Sequence, residues 1–380
     1  MLVRGGTVVD PGQGLHARRD VRLAGDRVAE VAADLAPRPG EEVVDARDRL
    51  VLPGLIDLHV HVFWGASHYG LEPDPHCLAT GTTTVVDAGS AGAYTFPAFR
   101  RYVIEVARTR ILPFLNIGAT GMVAPEVGEL VHAEFIDRAA ALRAVEANRE
   151  LIQGVKVRLS RELVGDNARL ALSAALEVSE AAGLPVMVHV GDTPLPLAAI
   201  LDELRPGDVL THCFHGREEG ILDGTGRLLA AARRAAARGV HFDVGHGRGS
   251  FAFAVARRAL AQGFRPGTIS SDLHVYNVNG PVHDLATTMS KFLHLGVPLE
   301  EVVAMTTTAP AGVVRGAAAL GTLRPGAAAD VTVVGLEEGR FVLEDAQGEA
   351  VTAARRLVPV AVVRGGVRVP PRANAKIAEA

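Results

Sequence analysis

Two histidines, His59 and His61, stand two residues apart in the segment PGLIDLHVHVFWG, where an apolar run comes to its end. Alternate residues of a β-strand project from the same face, so these two imidazoles would point at one place. Two converging imidazoles suit a divalent cation of intermediate softness, such as zinc. A polar strand end that carries two histidines is the alternative, so a metal site requires further donors elsewhere in the chain.

Lys156 is the second unusual residue, because it lies in the otherwise apolar segment GVKVRLS. The chain has only two other lysines, Lys291 and Lys376. A buried ammonium is unfavourable unless it is paired, neutral or chemically modified. A neutral lysine amine can add carbon dioxide and become a carbamate, which is a carboxylate able to bridge two metal ions. A salt bridge across the interior of the fold is the other explanation.

Three further donors follow apolar segments in the same way. His189 ends the segment PVMVH, His212 lies in DVLTHCFHG, and Asp272 lies in TISSDLH. His215 is an alternative ligand to His212, although the sequence places it in the following loop. Each of these residues alone fits a satisfied polar group, but six such donors at predicted strand ends together predict a metal site.

The elements that would position these donors are strands and helices in alternation. Eight apolar strand candidates begin near Leu55, Thr82, Ile111, Gly154, Leu184, Asp208, Val240 and Thr268. Helical patterns occupy Ile136–Ile152, Ala168–Ala182, Gly226–Arg238 and Phe251–Gln262. This alternation predicts an α/β fold, a (β/α)8 TIM-like barrel, whose active site lies at the C-terminal strand ends. An open doubly wound sheet is the alternative, but no GxGxxG follows a first strand.

Both ends of the chain differ from this middle part. The first fifty residues read as short strands separated by Gly, Pro or Asp, and the segment from Gly321 onward repeats that style. Such spacing of turn residues is typical of β-structure. We therefore expect a small β-module at each end of the chain.

Composition argues against several classes of partner. The formal net charge is −4 and the sequence pI is about 6.4, whereas nucleic acid and acidic lipid favour strongly basic surfaces. Every apolar run is too short to span a bilayer, and we expect no leader peptide, because the N-terminal residues show no h-region or cleavage site. Cys77 and Cys213 form no CxxC pair, and we predict neither as a metal ligand. These features predict a cytoplasmic protein with a small-molecule substrate, without nucleic acid or membrane partners.

The donors and two flanking motifs together resemble the amidohydrolase superfamily, in its binuclear branch with the dihydroorotases and hydantoinases. The flanking motifs are PGLID before the first histidine pair and GTLRPGAAADVTVV near the C-terminus. The resemblance implies a barrel at residues 53–316 and a small β-sandwich domain formed by residues 1–52 and 317–380. It also implies two divalent metals, zinc or alternatively manganese, and a homo-oligomer.

The same resemblance assigns roles to the donors. It implies that His59 and His61 hold one metal and that His189 and His212 hold the other. Lys156 would bridge the two as a carbamate formed from carbon dioxide. Asp272 would bind the first metal, contact a metal-bridging hydroxide and move a proton between that hydroxide and the leaving group.

Three shorter segments, THCFHG, DVGHGRGSFAF and ISSDLH, resemble the amidohydrolase/deacetylase subgroup. That subgroup is associated with N-acetyl-D-amino acids and acetylated R-mandelate. The resemblance implies hydrolysis of an amide or ester of a small carboxylate-bearing substrate, either an N-acyl-D-amino acid or an O-acetyl 2-hydroxy acid. A cyclic amidase of the dihydroorotase or hydantoinase type is the alternative. A non-catalytic homologue is a third possibility, which the complete set of six ligands opposes.

Five residues are predicted to contact the substrate. Arg158 follows Lys156 on the same strand face and could bind a carboxylate through its planar fork, or form an internal salt bridge. His246 and Arg248 lie in the glycine-rich segment GHGRGS, where His246 could polarise a carbonyl or cap a helix. Tyr276 and Asn277 follow Asp272 and would overhang the barrel mouth.

Seven further histidines are interpreted as structural or exposed, namely His16, His68, His76, His132, His241, His283 and His294. Residues 118–134 after the third predicted strand form a segment long enough to act as a lid.

Overall fold

The fold is that of a computed structural model, which describes residues 1–370. The strands are β1 Leu2–Arg4, β2 Thr7–Asp10, β3 Leu15–Arg18, β4 Asp20–Ala24, β5 Arg27–Ala32, β6 Val43–Asp45, β7 Leu50–Pro53, β8 Leu55–Val60, β9 Thr82–Gly92, β10 Arg110–Asn116, β11 Gly154–Arg158, β12 Val186–His189, β13 Val209–Thr211, β14 His241–Phe242, β15 Val331–Glu344, β16 Ala350–Arg364 and β17 Val367–Val369. The α-helices are α1 Pro73–His76, α2 Phe96–Phe99, α3 Arg138–Ala147, α4 Arg161–Val164, α5 Ala168–Ala182, α6 Leu197–Glu203, α7 Ala230–Arg238, α8 Phe253–Ala261, α9 Leu285–His294, α10 Leu299–Ala304 and α11 Thr308–Val313.

The strands from β8 to β14 form one parallel sheet in sequence order. The eighth position is taken by residues 268–273, which make two parallel bridges, Asp243 with Thr268 and Val60 with Leu273. These bridges join the segment to the last and the first strand, so the sheet closes into a barrel. The predicted barrel is confirmed, and the closure excludes the open doubly wound sheet.

The eighth segment is not a regular strand, although an apolar strand was expected from Thr268. Ile269 donates its backbone N–H to Met305 rather than to a neighbouring strand. Asp272 adopts a left-handed backbone conformation with φ 49°. A strand requires extended backbone throughout, so a positive φ ends regular pairing at the point where Asp272 turns into the barrel mouth.

Helix α5 shows how the sequence specifies the outer layer of the barrel. Its buried residues include Ala171, Ala175, Val178 and Ala182, which recur every three or four positions and so form one face. Gly183 ends the helix with φ 61°, the left-handed conformation that glycine adopts without penalty. The predicted helix Ala168–Ala182 is confirmed at both ends, because the sequence shows both this spacing of buried residues and the glycine that ends the helix.

Two further sheets form a β-sandwich from both ends of the chain. One sheet has the order β5-β4-β1-β6, and the other has the order β17-β16-β15-β7-β2-β3. Strand β7 lies parallel to β2 and antiparallel to β15, so it joins the N-terminal and C-terminal strands. The apolar core between the sheets includes Val3, Val21, Val51, Val331 and Val363. The expected sandwich is confirmed, and the last ten residues of the predicted segment 317–380 lie outside the described residues.

Among residues 1–370, none of the helices combines the length and the apolar character that crossing a bilayer would require.

Candidate metal centre

The six predicted ligands meet at the C-terminal mouth of the barrel. They are His59 in β8, His61 just after β8, Lys156 in β11, His189 at the end of β12, His212 just after β13 and Asp272 in the eighth segment. Parallel strands end at the same edge of a barrel, which is why residues far apart in sequence converge here. His189 is partly buried and the other five side chains are buried.

The donor atoms of the five imidazole and carboxylate side chains face one another at short range. Nε2 of His59 and of His61 lie 3.4 and 3.2 Å from Oδ1 of Asp272. Nδ1 of His189 lies 2.9 Å from Nε2 of His212. Donor atoms of His59, His212 and Asp272 all lie within 4.8 Å of one another, which would allow them to hold one cation.

The tautomers of His212 and His59 follow from what their outer nitrogens contact. Nδ1 of His212 lies 2.7 Å from the carbonyl oxygen of Gly245, which can only accept, so Nδ1 carries the proton. Nδ1 of His59 lies 2.9 Å from the hydroxyl of Thr211, which donates its own proton to Asp243 at 2.7 Å. His59 therefore donates to Thr211, and both histidines present an unprotonated Nε2 to the cluster.

The outer partners of His189 and His61 have the same effect. Nε2 of His189 lies 2.9 Å from the hydroxyl of Ser160, which donates to the carbonyl of Gly191 at 2.8 Å. Nδ1 of His61 lies 2.9 Å from the hydroxyl of Ser90, and that hydroxyl donates its own proton to the buried carboxylate of Asp87. His189 thus presents an unprotonated Nδ1, and His61 an unprotonated Nε2, to the cluster.

These protonation states fit a bound cation. Burial lowers the pKa of His59, His61 and His189 well below the usual histidine value and that of His212 to about 3, so all four rings are neutral at pH 7. The lone pairs of His189 and His212 then face each other at 2.9 Å with no proton between them. Buried Oδ1 of Asp272 has no hydrogen-bond donor among residues 1–370. A divalent metal would satisfy these atoms, because neutral imidazole and carboxylate are its usual ligands.

Lys156 is buried beneath this cluster. Its Nζ lies 3.4 Å from Nε2 of His59, and within residues 1–370 it forms no ion pair with a carboxylate. The structure therefore lacks the salt bridge that was the other explanation for this residue. Burial lowers the pKa of Lys156 to about 7, although Asp272 opposes the shift. At pH 7 a substantial fraction of the Lys156 amine is therefore neutral. The neutral amine is the form that can react with carbon dioxide.

Three glycines allow the backbone to pack against the ligands. A Cβ on Gly89 would lie 2.6 Å from Cβ of Lys156, and one on Gly245 would lie 2.7 Å from Nδ1 of His212. A Cβ on Gly247 would lie 2.4 Å from Oδ2 of Asp272. His212 and Asp272 themselves have φ values of 68° and 49°, which non-glycine residues rarely adopt.

A cavity of about 700 Å³ opens above the metal centre. Of the predicted substrate contacts, Arg158, Arg248 and Tyr276 line this cavity, whereas His246 and Asn277 are not among its lining residues. The amide of Asn277 instead donates to the backbone carbonyl of Asp272 at 2.7 Å and so holds the turn that presents this carboxylate.

His246 contacts residues that are not among the lining residues of the cavity. Its Nε2 lies 2.8 Å from Nζ of Lys291, and its ring stacks on Phe251 with centroids 4.7 Å apart. The alternative ligand His215 uses Nδ1 to accept the backbone N–H of Arg217 at 3.3 Å. Both histidines thus support loops around the cavity.

Residues 118–134, the segment long enough to act as a lid, contribute part of the cavity wall through Glu129. One carboxylate oxygen of Glu129 lies 2.5 Å from Nη1 of Arg158, and the other accepts the amide of Asn116 at 3.0 Å. The Arg158 side chain is 8% exposed and that of Glu129 is 4% exposed. Arg158 therefore forms an internal salt bridge, the second of its two predicted roles, although its side chain also lines the cavity.

Sequence analysis missed several cavity residues, namely Tyr69, His274, Arg217 and Glu129, and it interpreted His68 as structural or exposed. His274 could have been found, because it follows Asp272 by two residues and continues the same segment. Tyr69 and Arg217 lie in loops without a recognisable motif, and only folding brings them to the mouth. The ring centroid of Tyr69 lies 5.3 Å from that of His61 and 4.5 Å from that of His274.

Comparison with known proteins decides the family. The profile of the amidohydrolase family matches residues 50–369. The chain belongs to the amidohydrolase family. This amidohydrolase is 38% identical to a deacetylase of Agrobacterium fabrum, over 91% of its own length and 85% of the relative's. It is 35% identical to a deacetylase of Enterococcus faecalis, over 91% and 94% of the two chains.

Solved structures agree in fold across the whole chain. One described as an adenine deaminase has a TM-score of 0.90 and 34% identity and covers 97% of this amidohydrolase and 98% of its own chain. One described as a dihydroorotase has a TM-score of 0.89 and 36% identity with the same coverage. This amidohydrolase is thus a hydrolase that acts on C–N bonds. Because its relatives have three different activity names at 34–38% identity, the substrate needs a separate argument.

Proposed function

We propose that this amidohydrolase removes an acyl group from a small substrate that carries a carboxylate. The substrate would be an N-acyl-D-amino acid or an O-acetyl 2-hydroxy acid. The observation that carries the proposal is the cluster of unprotonated donors at the floor of a cavity of about 700 Å³ that is lined by guanidinium groups. Relatives named deacetylases, at 35–38% identity over most of the chain, support removal of an acyl group.

In this proposal His59, His61 and Asp272 would hold one divalent metal, and His189 and His212 would hold the second. Lys156, once converted to a carbamate by carbon dioxide, would supply a further carboxylate ligand. Zinc is the metal we expect, with manganese as the alternative, because imidazole and carboxylate suit both. When bound, two such metals polarise the scissile carbonyl and lower the pKa of a water molecule.

Asp272 has the position needed to transfer the proton. Its Oδ1 faces the donor cluster without a hydrogen bond, and Gly247 leaves room for Oδ2. Water attacks the carbonyl carbon while Asp272 accepts its proton. The same proton then passes to the leaving nitrogen or oxygen as its bond to the carbonyl carbon breaks. No side-chain nucleophile is needed, and Cys77 and Cys213 both lie in the hydrophobic core.

We also propose that the enzyme discriminates between enantiomers. The metal centre would fix the scissile carbonyl, and a guanidinium group would fix the carboxylate. A substrate held at two points places its side chain on one of two sides, so the wrong enantiomer forfeits one contact. Preference for the D or R configuration is what the resemblance to the deacetylase subgroup implies.

A cyclic amide is the second candidate substrate, because one similar solved structure is described as a dihydroorotase at 36% identity. A panel assay separates the candidates. Zinc- or manganese-loaded protein would be tested with both enantiomers of N-acetyl amino acids and acetylated 2-hydroxy acids, and with dihydroorotate, hydantoin and adenine. We expect the highest kcat/KM for one enantiomer of an acyclic acetyl substrate. A higher kcat/KM for a cyclic compound or for adenine would contradict the proposal.

Two accompanying measurements test the rest of the proposed assembly. Metal analysis of the loaded protein should give two equivalents per chain, and light scattering should give the mass of a homo-oligomer. One equivalent of metal in an active enzyme would contradict the binuclear site, and a monomer mass would contradict the predicted oligomer.

A further inference from the structure

Among residues 1–370 three arginines line the cavity, and they differ in whether a carboxylate neutralises their charge. Arg158 is buried, forms an ion pair with Glu129 at 2.5 Å and lies with its guanidinium carbon 5.1 Å from the ring centre of Tyr69. Arg217 and Arg248 are exposed at the mouth. Within residues 1–370 neither of these two guanidinium groups has an ion pair or a hydrogen bond.

Arg217 and Arg248 lie on loops that touch each other. Arg217 is in the loop after β13 and Arg248 is in the loop after β14. Nη2 of Arg217 approaches within 3.2 Å of where a Cβ on Gly249 would lie, and its Cδ approaches within 3.6 Å of the same position on Gly191. Gly191 follows the ligand His189 by two residues, so the Arg217 side chain crosses the mouth beside the metal centre.

The charges on the cavity wall are unevenly distributed. The two glutamates that line the cavity, Glu129 and Glu162, lie beside the end of β11, where Arg158 is already neutralised. The two unpaired arginines lie at the ends of β13 and β14, two and three strands further along the sheet. A carboxylate that enters the cavity meets the compensated Arg158–Glu129 pair and Glu162 on the first side and two positive charges on the second, so it is attracted to the second side.

We infer that Arg217 and Arg248 form the subsite for the substrate carboxylate and that Arg158 positions Glu129 and the loop wall instead. This assignment rests on the proposed function, because it needs a substrate with a carboxylate. The planar guanidinium fork matches the two oxygens of a carboxylate. The forks of Arg217 and Arg248, which have no counter-ion within residues 1–370, lie on touching loops at the mouth. An acyl group bound over the metal centre then has its carboxylate held between the loops after β13 and β14.

The test compares a carboxylate substrate with its neutral analogue. The variants Arg217→Met, Arg248→Met and the double variant would be assayed with N-acetyl-D-phenylalanine and with its primary carboxamide. Each single variant should lower kcat/KM for the acid about 10- to 100-fold, mainly through KM, because each removes a charge-assisted contact. The carboxamide should change less than about 3-fold, since it has no negative charge for the guanidinium groups to bind.

Control variants separate this role from general damage. Arg101→Met removes an exposed arginine that does not line the cavity and should leave both substrates unaffected. The paired variant Glu129→Gln with Arg158→Met should alter both substrates by the same factor. An unchanged acid-to-amide ratio in the Arg217 and Arg248 double variant would overturn the inference, and so would a selective loss for the acid in the Glu129 and Arg158 pair.

Failure of the proposed function has a different signature. If the wild-type enzyme hydrolyses neither the acid nor its amide, the substrate class is wrong, and calorimetry with N-acetyl-D-phenylalanine then tests the subsite alone. Binding that weakens at least 10-fold in the double variant but not in Arg101→Met supports the subsite. Equal binding in all variants, or no binding to the wild type, overturns it.

Discussion

The buried ion pair between Arg158 and Glu129 allows a quantitative prediction. Glu129→Gln keeps the shape of the side chain and an oxygen that can accept the amide of Asn116, but it leaves the Arg158 charge without its partner. Removing one member of a buried pair costs about 3–5 kcal/mol of unfolding free energy. For 380 residues the unfolding entropy is roughly 0.8 kcal/mol per degree. The melting temperature should therefore fall by about 4–6 °C.

The double variant Glu129→Gln, Arg158→Met removes both charges and should lie closer to the wild type than either single variant does. Differential scanning calorimetry of the metal-loaded protein gives all four melting temperatures. Glu177→Gln is the matched control, because its ion pair with Arg138 has a similar distance of 2.7 Å but side chains that are 36% and 59% exposed. That variant should lose less than about 1 kcal/mol. Single variants at Glu129 and Arg158 that melt within about 1 °C of the wild type would refute the reasoning and leave Arg158 free for substrate.

Three further predictions concern Lys156, Asp272 and Lys291. Lys156→Ala should lose nearly all activity, and short carboxylic acids should restore part of it by replacing the carbamate; no rescue, with two metals retained, would contradict the bridging role. Asp272→Asn should retain most of its metal, since five other ligands remain, but lower kcat by orders of magnitude; full activity would show that another group moves the proton. Burial lowers the pKa of Lys291 to about 7, although Asp345 and Asp284 oppose the shift. The unfolded chain therefore binds the extra proton between about pH 7 and pH 10.5, and the stability of the wild type relative to Lys291→Met should rise with pH over that interval; a flat difference would show that Lys291 stays charged in the folded protein.

The barrel was predictable because its strands and helices have strong local patterns. The apolar run around Lys156 is buried on both faces in β11, which is what a parallel strand covered by helices requires. Helix α9, which spans Leu285–His294, was not predicted, although Leu285, Met289 and Phe292 recur at helical spacing. Nearly all of this helix is buried, including the polar residues on its other face. The irregular eighth segment was placed correctly but read as a strand, since a single positive φ at Asp272 leaves no signal in residue types.

The sequence by itself determined which donors could bind metal and where along the chain they lie. A strand end is recognisable from its apolar run, so His59, His189 and His212 could each be located at a strand end, and the set of six donors then predicted the metal site. Only the tertiary structure decided which atoms of those rings face the centre, because the hydroxyls of Thr211 and Ser160 that fix the tautomers come from the ends of other strands. Whether Arg158 is paired or free to bind substrate was likewise decided by Glu129, which lies twenty-nine residues away in a loop. Charge pairing depends on distance in space, and a local pattern specifies only position along the chain.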